Sequence, residues 1–265
     1  MKEITSTQNK LVKDILQLQE KSKVRKKEQL FIIEGKREIL IAIRNGYLLT
    51  NVLICFEYTS KSIVEEIEKM TTHPVEFIEI SKEVYQKIAY RDSTEGIIAI
   101  AEHKGHALSE LTLPSNPLIV VLESLEKPGN IGAVLRTADA AGIDAILIAN
   151  PKTDLYNPNI VRSSVGAIFT NNIAVSSNEE ILSFLKMHHI PIYSAILQDA
   201  VPYYTVDYKK GAALVMGTEA TGLTNEWREA SDANIIIPME GQIDSMNVSV
   251  AAAVLIFEAK RQRML

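Results

Sequence analysis

The sequence predicts an α/β protein in two parts, a smaller α/β layer domain followed by a larger doubly wound domain on a parallel sheet. Two patterns and a break predict it. Short apolar runs rich in β-branched residues alternate with segments whose apolar residues recur at helical spacing, the signature of layered strands and helices. In the later part these runs are apolar on both faces, as strands of a buried parallel sheet must be. Between the parts, HKGHALSELTLPSNP (103–117) carries Pro, Gly and Ser without sustained periodicity. The expected division is therefore a domain over 1–105, a linker over 106–117 and a second domain over 118–265.

In the first part, Leu11, Ile15 and Leu18 recur at helical spacing after Thr7, a residue suited to an N-cap, so a basic amphipathic helix of about four turns is expected. LFIIEG (30–35) reads as a strand and KREILIAIRNG (36–46) as a helix that stops at Gly46. The order repeats with NVLICFE (51–57) as strand, KSIVEEIEKM (61–70) as helix, VEFIEI (75–80) as strand, SKEVYQKIA (81–89) as helix and GIIAIAE (96–102) as strand. In the second part, LIVVLE (118–123), AILIAN (145–150), NIAV (172–175), PIYSAI (191–196), AALVMG (212–217) and NIIIPM (234–239) are the expected strands. The last segment is a helix apolar all round from Val248 to Phe257, which needs cover on every side, from its own sheet and from a partner subunit.

Composition narrows the classes. With 265 residues, 46% hydrophobic and 23% charged, the chain can bury one large core or two modest ones. No apolar run is long enough to span a bilayer, and MKEITSTQNK lacks the apolar stretch of a secretory signal, so a soluble cytoplasmic protein is expected. The single cysteine, Cys55, lies in an apolar run and reads as a core residue. The five histidines show no metal-ligand spacing, and no metal is expected.

The net charge of -5 argues against indiscriminate phosphate binding, but the charge is unevenly placed. Residues 1–37 hold ten basic and five acidic side chains, a balance of +5, which leaves about -10 for the rest. A polyanion would thus be met mainly by the amino-terminal part, with Lys10, Arg25, Lys26, Lys27 and Arg37 as candidate contacts. A solvated helix face is the plainer reading of the same residues.

In an open α/β sheet, ligands collect where strands end, and three such loops stand out. In KPGNIGAVLRTADAAG (127–142), Ile131, Val134, Leu135, Ala138 and Gly142 form a buried helix face, and Arg136 falls on the other side with Gly129 and Gly132 in its stripe. Asn130 stands near the helix start, where free N–H groups favour an anion. In LVMGTEATGL (214–223) a strand ends at Gly217, and the loop holds Glu219, whose carboxylate accepts hydrogen bonds, and Gly222. In IIIPMEGQIDSMNVSVAAAV (235–254) a strand closed by Pro238 leads to Ser245 and Asn247 at the start of the final helix. Taken singly, these are a capped helix with a solvated arginine, a weak Gly-x-Glu and a pair of N-cap residues. None matches a pyrophosphate-cradling fingerprint, which disfavours a nicotinamide-dependent oxidoreductase.

Read in order, Asn130-Ile-Gly-Ala-Val-Leu-Arg136-Thr, Gly217-Thr-Glu219-Ala-Thr-Gly222-Leu and Ile237-Pro-Met…Ser245-Met-Asn247-Val resemble the three motifs of the SpoU (TrmH-type) family within the SPOUT methyltransferases. The resemblance spans residues 118–262, and residues 1–102 more loosely resemble the L30e-like substrate-binding domain that many members carry. It departs from the family pattern at Ala220-Thr221 and at Met246, and neither change removes a role. The resemblance implies a SPOUT fold whose carboxyl-terminal segment forms a deep trefoil knot, a homodimer, and S-adenosylmethionine held largely by main-chain groups near Gly217, Gly222, Ile237, Pro238 and Met246. Arg136, Asn130, Glu219, Ser245 and Asn247 would be the catalytic set, with Arg136 contacting RNA. The implied reaction is methyl transfer to a ribose 2'-hydroxyl, with structured ribosomal RNA the expected substrate. A silent RNA-binding paralogue and a transfer-RNA methyltransferase are the alternatives.

Overall fold

Asn9, not Thr7, starts the first helix: its side-chain oxygen accepts from Leu11 N at 2.9 Å, the N-cap bond that satisfies a free amide. The computed structural model describes residues 1–90, 95–242 and 245–264. Strand β1 (Lys2–Ile4), which periodicity did not reveal, precedes helix α1 (Lys10–Glu20). The expected four-turn helix breaks at Lys21, which is extended, and resumes as α2 (Ser22–Glu28). Arg25 is the cause. Its Nη1 donates to Leu18 O at 2.6 Å and Gln19 O at 3.1 Å, satisfying carbonyls at the end of α1, and its Nε pairs with Asp154.

Arg25 was expected among the RNA contacts; it is instead 2% exposed and spent inside the unit. A guanidinium this buried, with Nε held by a carboxylate and Nη1 by two carbonyls, is out of reach of a phosphate on the surface. Removing one partner of such a pair leaves the other buried and uncompensated. Arg25→Met is therefore expected to lower unfolding free energy by about 3–5 kcal/mol in urea titration, while Lys26→Met changes it little.

The unit is completed by β2 (Leu30–Glu34), α3 (Lys36–Arg44), β3 (Leu49–Ile54), α4 (Lys61–Met70), β4 (Glu76–Ile80), α5 (Lys82–Ile88) and β5 (Ile97–Glu102). The five strands lie in the order β1-β4-β3-β5-β2, parallel from β1 to β3 and antiparallel at β5 and β2. Val12, Ile15 and Leu18 of α1 pack with Ile32, Leu53, Cys55, Ile78 and Ile100 in its core.

By contacts, the chain separates into Met1–Lys104 with Asp154–Thr170, and Gly105–Thr153 with Asn171–Leu265. Asp154–Thr170, expected with the later part, belongs to the first unit. Tyr156 stacks on Phe31 at 4.2 Å between centroids, and Phe169 meets the Tyr47 ring edge-on at 4.9 Å. The expected linker is not free of structure either. Leu108, Leu111 and Leu113 pack on the core of the second unit, and His106 O accepts from Val175 N at 2.9 Å.

The second unit runs β6 (Leu118–Glu123), α6 (Pro128–Ala141) and β7 (Ala145–Ala149). After α7 (Pro158–Ser164) and α8 (Ala167–Thr170), which lie in the first unit, it continues with β8 (Ile173–Ser176), α9 (Asn178–Met187), β9 (Ile192–Ala195), β10 (Val201–Pro202), β11 (Ala212–Met216), α10 (Asn225–Ala230), β12 (Ala233–Ile236) and α11 (Val248–Arg263). Its seven strands are all parallel, ordered β10-β12-β9-β11-β6-β7-β8. Strands β6, β7 and β11 are buried along their whole length, which explains why they read as unbroken apolar runs. From β6 the chain winds one way through β7 and β8, and the remaining strands lie on the other side. The β6–β11 junction is thus the switch point, where an open sheet makes its crevice.

Candidate active site

Three segments meet beside that switch point. The first is the turn from β6 into α6. Pro128 occupies the first helical turn, which leaves Lys127 as N-cap and Asn130 at the third position. The buried face of α6 carries Ile131, Val134, Leu135 and Ala138 as expected, together with Gly132 and Ala141. Gly142 is the left-handed C-cap rather than a helix-face residue. Around Gly129 a side chain would meet nothing within 4 Å, whereas Gly132 is buried, so only the first glycine leaves open space.

The second segment follows β11. Thr218 and Gly222 exchange backbone hydrogen bonds at 3.2 and 3.0 Å, and the Thr218 hydroxyl accepts from Thr221 N at 3.0 Å, which closes a tight hairpin with Glu219 in its turn. Gly222 has φ 66°, the left-handed region that favours glycine. At Gly217 a Cβ would run into the backbone of Gly222 and lie 2.7 Å from Leu223 N, so the two strands of the hairpin can approach only because that atom is missing.

The hairpin is anchored by a residue that the sequence reading passed over. Glu123, 1% exposed at the end of β6, accepts from Thr224 N at 2.9 Å, Thr224 Oγ1 at 2.7 Å and Asn178 Nδ2 at 2.7 Å. A buried carboxylate is stable only when its oxygens are matched this way, and here the match ties the hairpin's end to β6 and α9. Its signal was a glutamate closing the five-residue apolar run LIVVL.

The third segment opens α11. Asn247 is its N-cap and accepts from Ser249 N at 2.9 Å. Its Nδ2 reaches both Asn130 Oδ1 at 3.1 Å and Glu219 Oε1 at 3.0 Å, while Asn130 Nδ2 donates to the same Glu219 oxygen at 3.0 Å. Lys127 Nζ pairs with the other oxygen, Oε2. Asn130, Glu219 and Asn247, distant in sequence, thus form one cluster. Lys127 completes it and had not been singled out; it directly precedes the Pro-Gly-Asn turn.

Lys127, and after it Asn130, hold the Glu219 carboxyl below its ordinary 4.5. A lowered pKa means that the ionised form and the contacts it makes persist at neutral pH and are lost only as pH falls through the lowered value. In Lys127→Ala the Glu219 titration midpoint, followed by carboxyl carbon NMR, is expected to move back up towards 4.5. An unchanged midpoint would mean that the ion pair is not the cause.

Beside this cluster lies a cavity of about 360 Å³ lined by Gly217, Gly222, Ile237, Ser245 and Met246 as well as Glu219. Pro238, also expected there, is not among the lining residues. Arg136 is exposed on α6, ~9 Å along the helix axis from Asn130, and makes no hydrogen bond or ion pair among the described residues. Lys10, Lys26, Lys27 and Arg37 are exposed on the first unit.

An all-parallel sheet with a cavity at the carboxyl ends of β9, β11 and β12, lined by Glu219 of the Asn-Glu-Asn cluster, defines a ligand-binding α/β enzyme. The chain belongs to the SpoU rRNA methylase family, whose model matches residues 117–257, and residues 9–99 match the MRM3-like substrate binding domain. Over 260 residues it is 28% identical to the 23S rRNA (guanosine(2553)-2'-O)-methyltransferase RlmP of Bacillus subtilis, covering 98% of this chain and 100% of the relative. A crystal structure of an RNA 2'-O ribose methyltransferase superposes with a TM-score of 0.85 at 37% identity, covering 99% of this chain and 100% of that one. The AdoMet-bound rRNA methyltransferase of Sinorhizobium meliloti superposes with a TM-score of 0.91 at 30% identity, covering 98% and 97%. The expected family, and the α/β architecture with a substrate-binding domain ahead of the methyltransferase domain, are borne out.

Proposed function

We propose that this protein transfers a methyl group from S-adenosylmethionine to a ribose 2'-hydroxyl of ribosomal RNA. The observation that carries the proposal is the convergence of Asn130, Glu219 and Asn247 at a cavity walled by Gly217, Ile237 and Met246, in a SpoU family chain.

The residues present fit the donor. The cavity is within the ~300–1,000 Å³ typical of small-molecule sites, and Gly217 and Gly222 bring main-chain groups close to its surface. Gly217, Gly222, Ile237 and Met246 would hold the donor through backbone groups and apolar contact. Bound there, S-adenosylmethionine supplies a methyl group already activated by its sulfonium.

What remains for the protein is to place a hydroxyl oxygen in line and to favour its loss of a proton. Glu219 is a poor base for that task, because Lys127 and Asn130 keep its carboxyl below 4.5. It acts instead as the fixed acceptor that orients Asn130 and Asn247. The exposed Arg136 guanidinium serves to steady an RNA phosphate or the developing negative oxygen. Ser245 shapes the wall beside Met246.

Lys10, Lys26, Lys27 and Arg37 supply the cationic face for RNA on the first unit. We place the protein in the cytoplasm as a homodimer through α11, where Val250 and Phe257 are 52% and 51% exposed and a second copy would cover them. The segment after β12 would thread the trefoil knot that the family resemblance implies.

Incubation with tritiated S-adenosylmethionine and ribosomal RNA tests the reading. Label in alkali-resistant dinucleotides is the expected result, because a methylated 2'-hydroxyl cannot assist strand cleavage. Label in alkali-sensitive nucleotides, or none, contradicts it.

A further inference from the structure

Arg228 stands in α10 next to the fully buried Trp227, and it lines the same cavity as Gly217 and Ile237. Of the described residues in that lining, it is the only cation and Glu219 the only carboxylate. Glu219 is already matched by Lys127, so the two do not neutralise each other. The Arg228 side chain forms no hydrogen bond or ion pair among the described residues, and its Nε is shielded from solvent without an acceptor. Shielded N–H groups in folded proteins almost always have an acceptor. The described residues provide none for this one, which directs attention to what enters the cavity.

We propose that Arg228 binds the amino-acid carboxylate of the methyl donor, an assignment that rests on the reading of this cavity as the donor site. A guanidinium presents a planar fork of donors that matches a carboxylate, and a partly desolvated setting strengthens the pair. Of the donor's parts, only the amino-acid end carries an anion. An RNA phosphate is the competing anion, but Arg228 sits in the wall of a cavity of about 360 Å³ with its Nε covered, not on an open face that a nucleotide chain could cross. The exposed cation Arg136 is better placed for that contact. Arg228 is thus a specificity-determining residue: it selects the complete amino-acid tail over the adenosine portion alone.

Titration calorimetry with S-adenosylmethionine and with decarboxylated S-adenosylmethionine, which lacks only the carboxylate, tests this. The wild-type protein is expected to bind the complete donor about 10- to 100-fold more tightly, the range for a hydrogen bond to a charged group. Arg228→Gln should lose that preference while binding the decarboxylated compound as the wild type does, which also reports an intact fold. Arg228→Lys should retain part of it. Equal affinity of the wild-type protein for both ligands overturns the assignment. So does a variant with donor affinity unchanged and RNA affinity reduced, which would give Arg228 to a phosphate. Failure of the wild-type protein to bind either compound overturns the donor-site reading itself, a different result from binding both alike.

Discussion

Replacing Arg136 by Ala is expected to lower kcat by about 10²–10³-fold, the cost of removing one preorganised charge from a developing oxyanion, with little change in unfolding free energy. The structural reason is that the side chain is exposed and makes no hydrogen bond or ion pair among the described residues, so folding does not depend on it. Its neighbours on α6, Val134, Leu135 and Ala138, are buried and fix the helix without it. Arg136→Lys separates charge from shape. A lysine keeps the positive charge but not the fork, and an intermediate loss is the expected outcome. Full turnover of the lysine variant at neutral pH would show that no guanidinium is needed there, and full turnover of the alanine variant would remove Arg136 from the reaction.

Gly217→Ala is expected to abolish measurable donor binding and to destabilise the second unit by about 1–3 kcal/mol or more, the range for overpacking. The added carbon would collide with the Gly222 carbonyl and lie 2.7 Å from Leu223 N. Those are backbone atoms, held by the Thr218–Gly222 bridge and by the Glu123–Thr224 bonds, and neither can swing aside as a side chain would. Relief requires the hairpin to open, which moves Glu219 away from Asn130 and Asn247. Gly129→Ala is the matched control, since its Cβ meets nothing within 4 Å. Donor affinity, read by calorimetry, should fall only in the first variant.

The parallel sheet could be read from sequence because β6, β7 and β11 are buried on both faces and so carry unbroken apolar runs. β1 and β10 escaped, having three and two residues and no room for a period to show. The break at Lys21 escaped for a different reason. Arg25 caps carbonyls of Leu18 and Gln19 only because Asp154, 129 positions away, holds its other donor, and no local pattern carries that pairing. For the same reason Arg25 looked like one more surface cation.

The site divides likewise. Asn130, Glu219 and Asn247 were found through ordered motifs, and the fold then brought them within 3.1 Å of one another. Lys127 and Glu123 were missed, since a lysine before a Pro-Gly turn and a glutamate at a strand end are common, and only contacts across 92 and 101 positions give them meaning.

A crystal structure of the protein with S-adenosylhomocysteine is the most direct test of the central claim, that the hairpin after β11, the segment after β12 and the start of α11 together form the methyl-donor site. The product should lie in the cavity walled by Gly217, Ile237 and Met246, with its sulfur turned towards the Asn130–Glu219–Asn247 cluster. Binding at any other place on the chain, or in that cavity with the sulfur facing away from the cluster, would contradict the account.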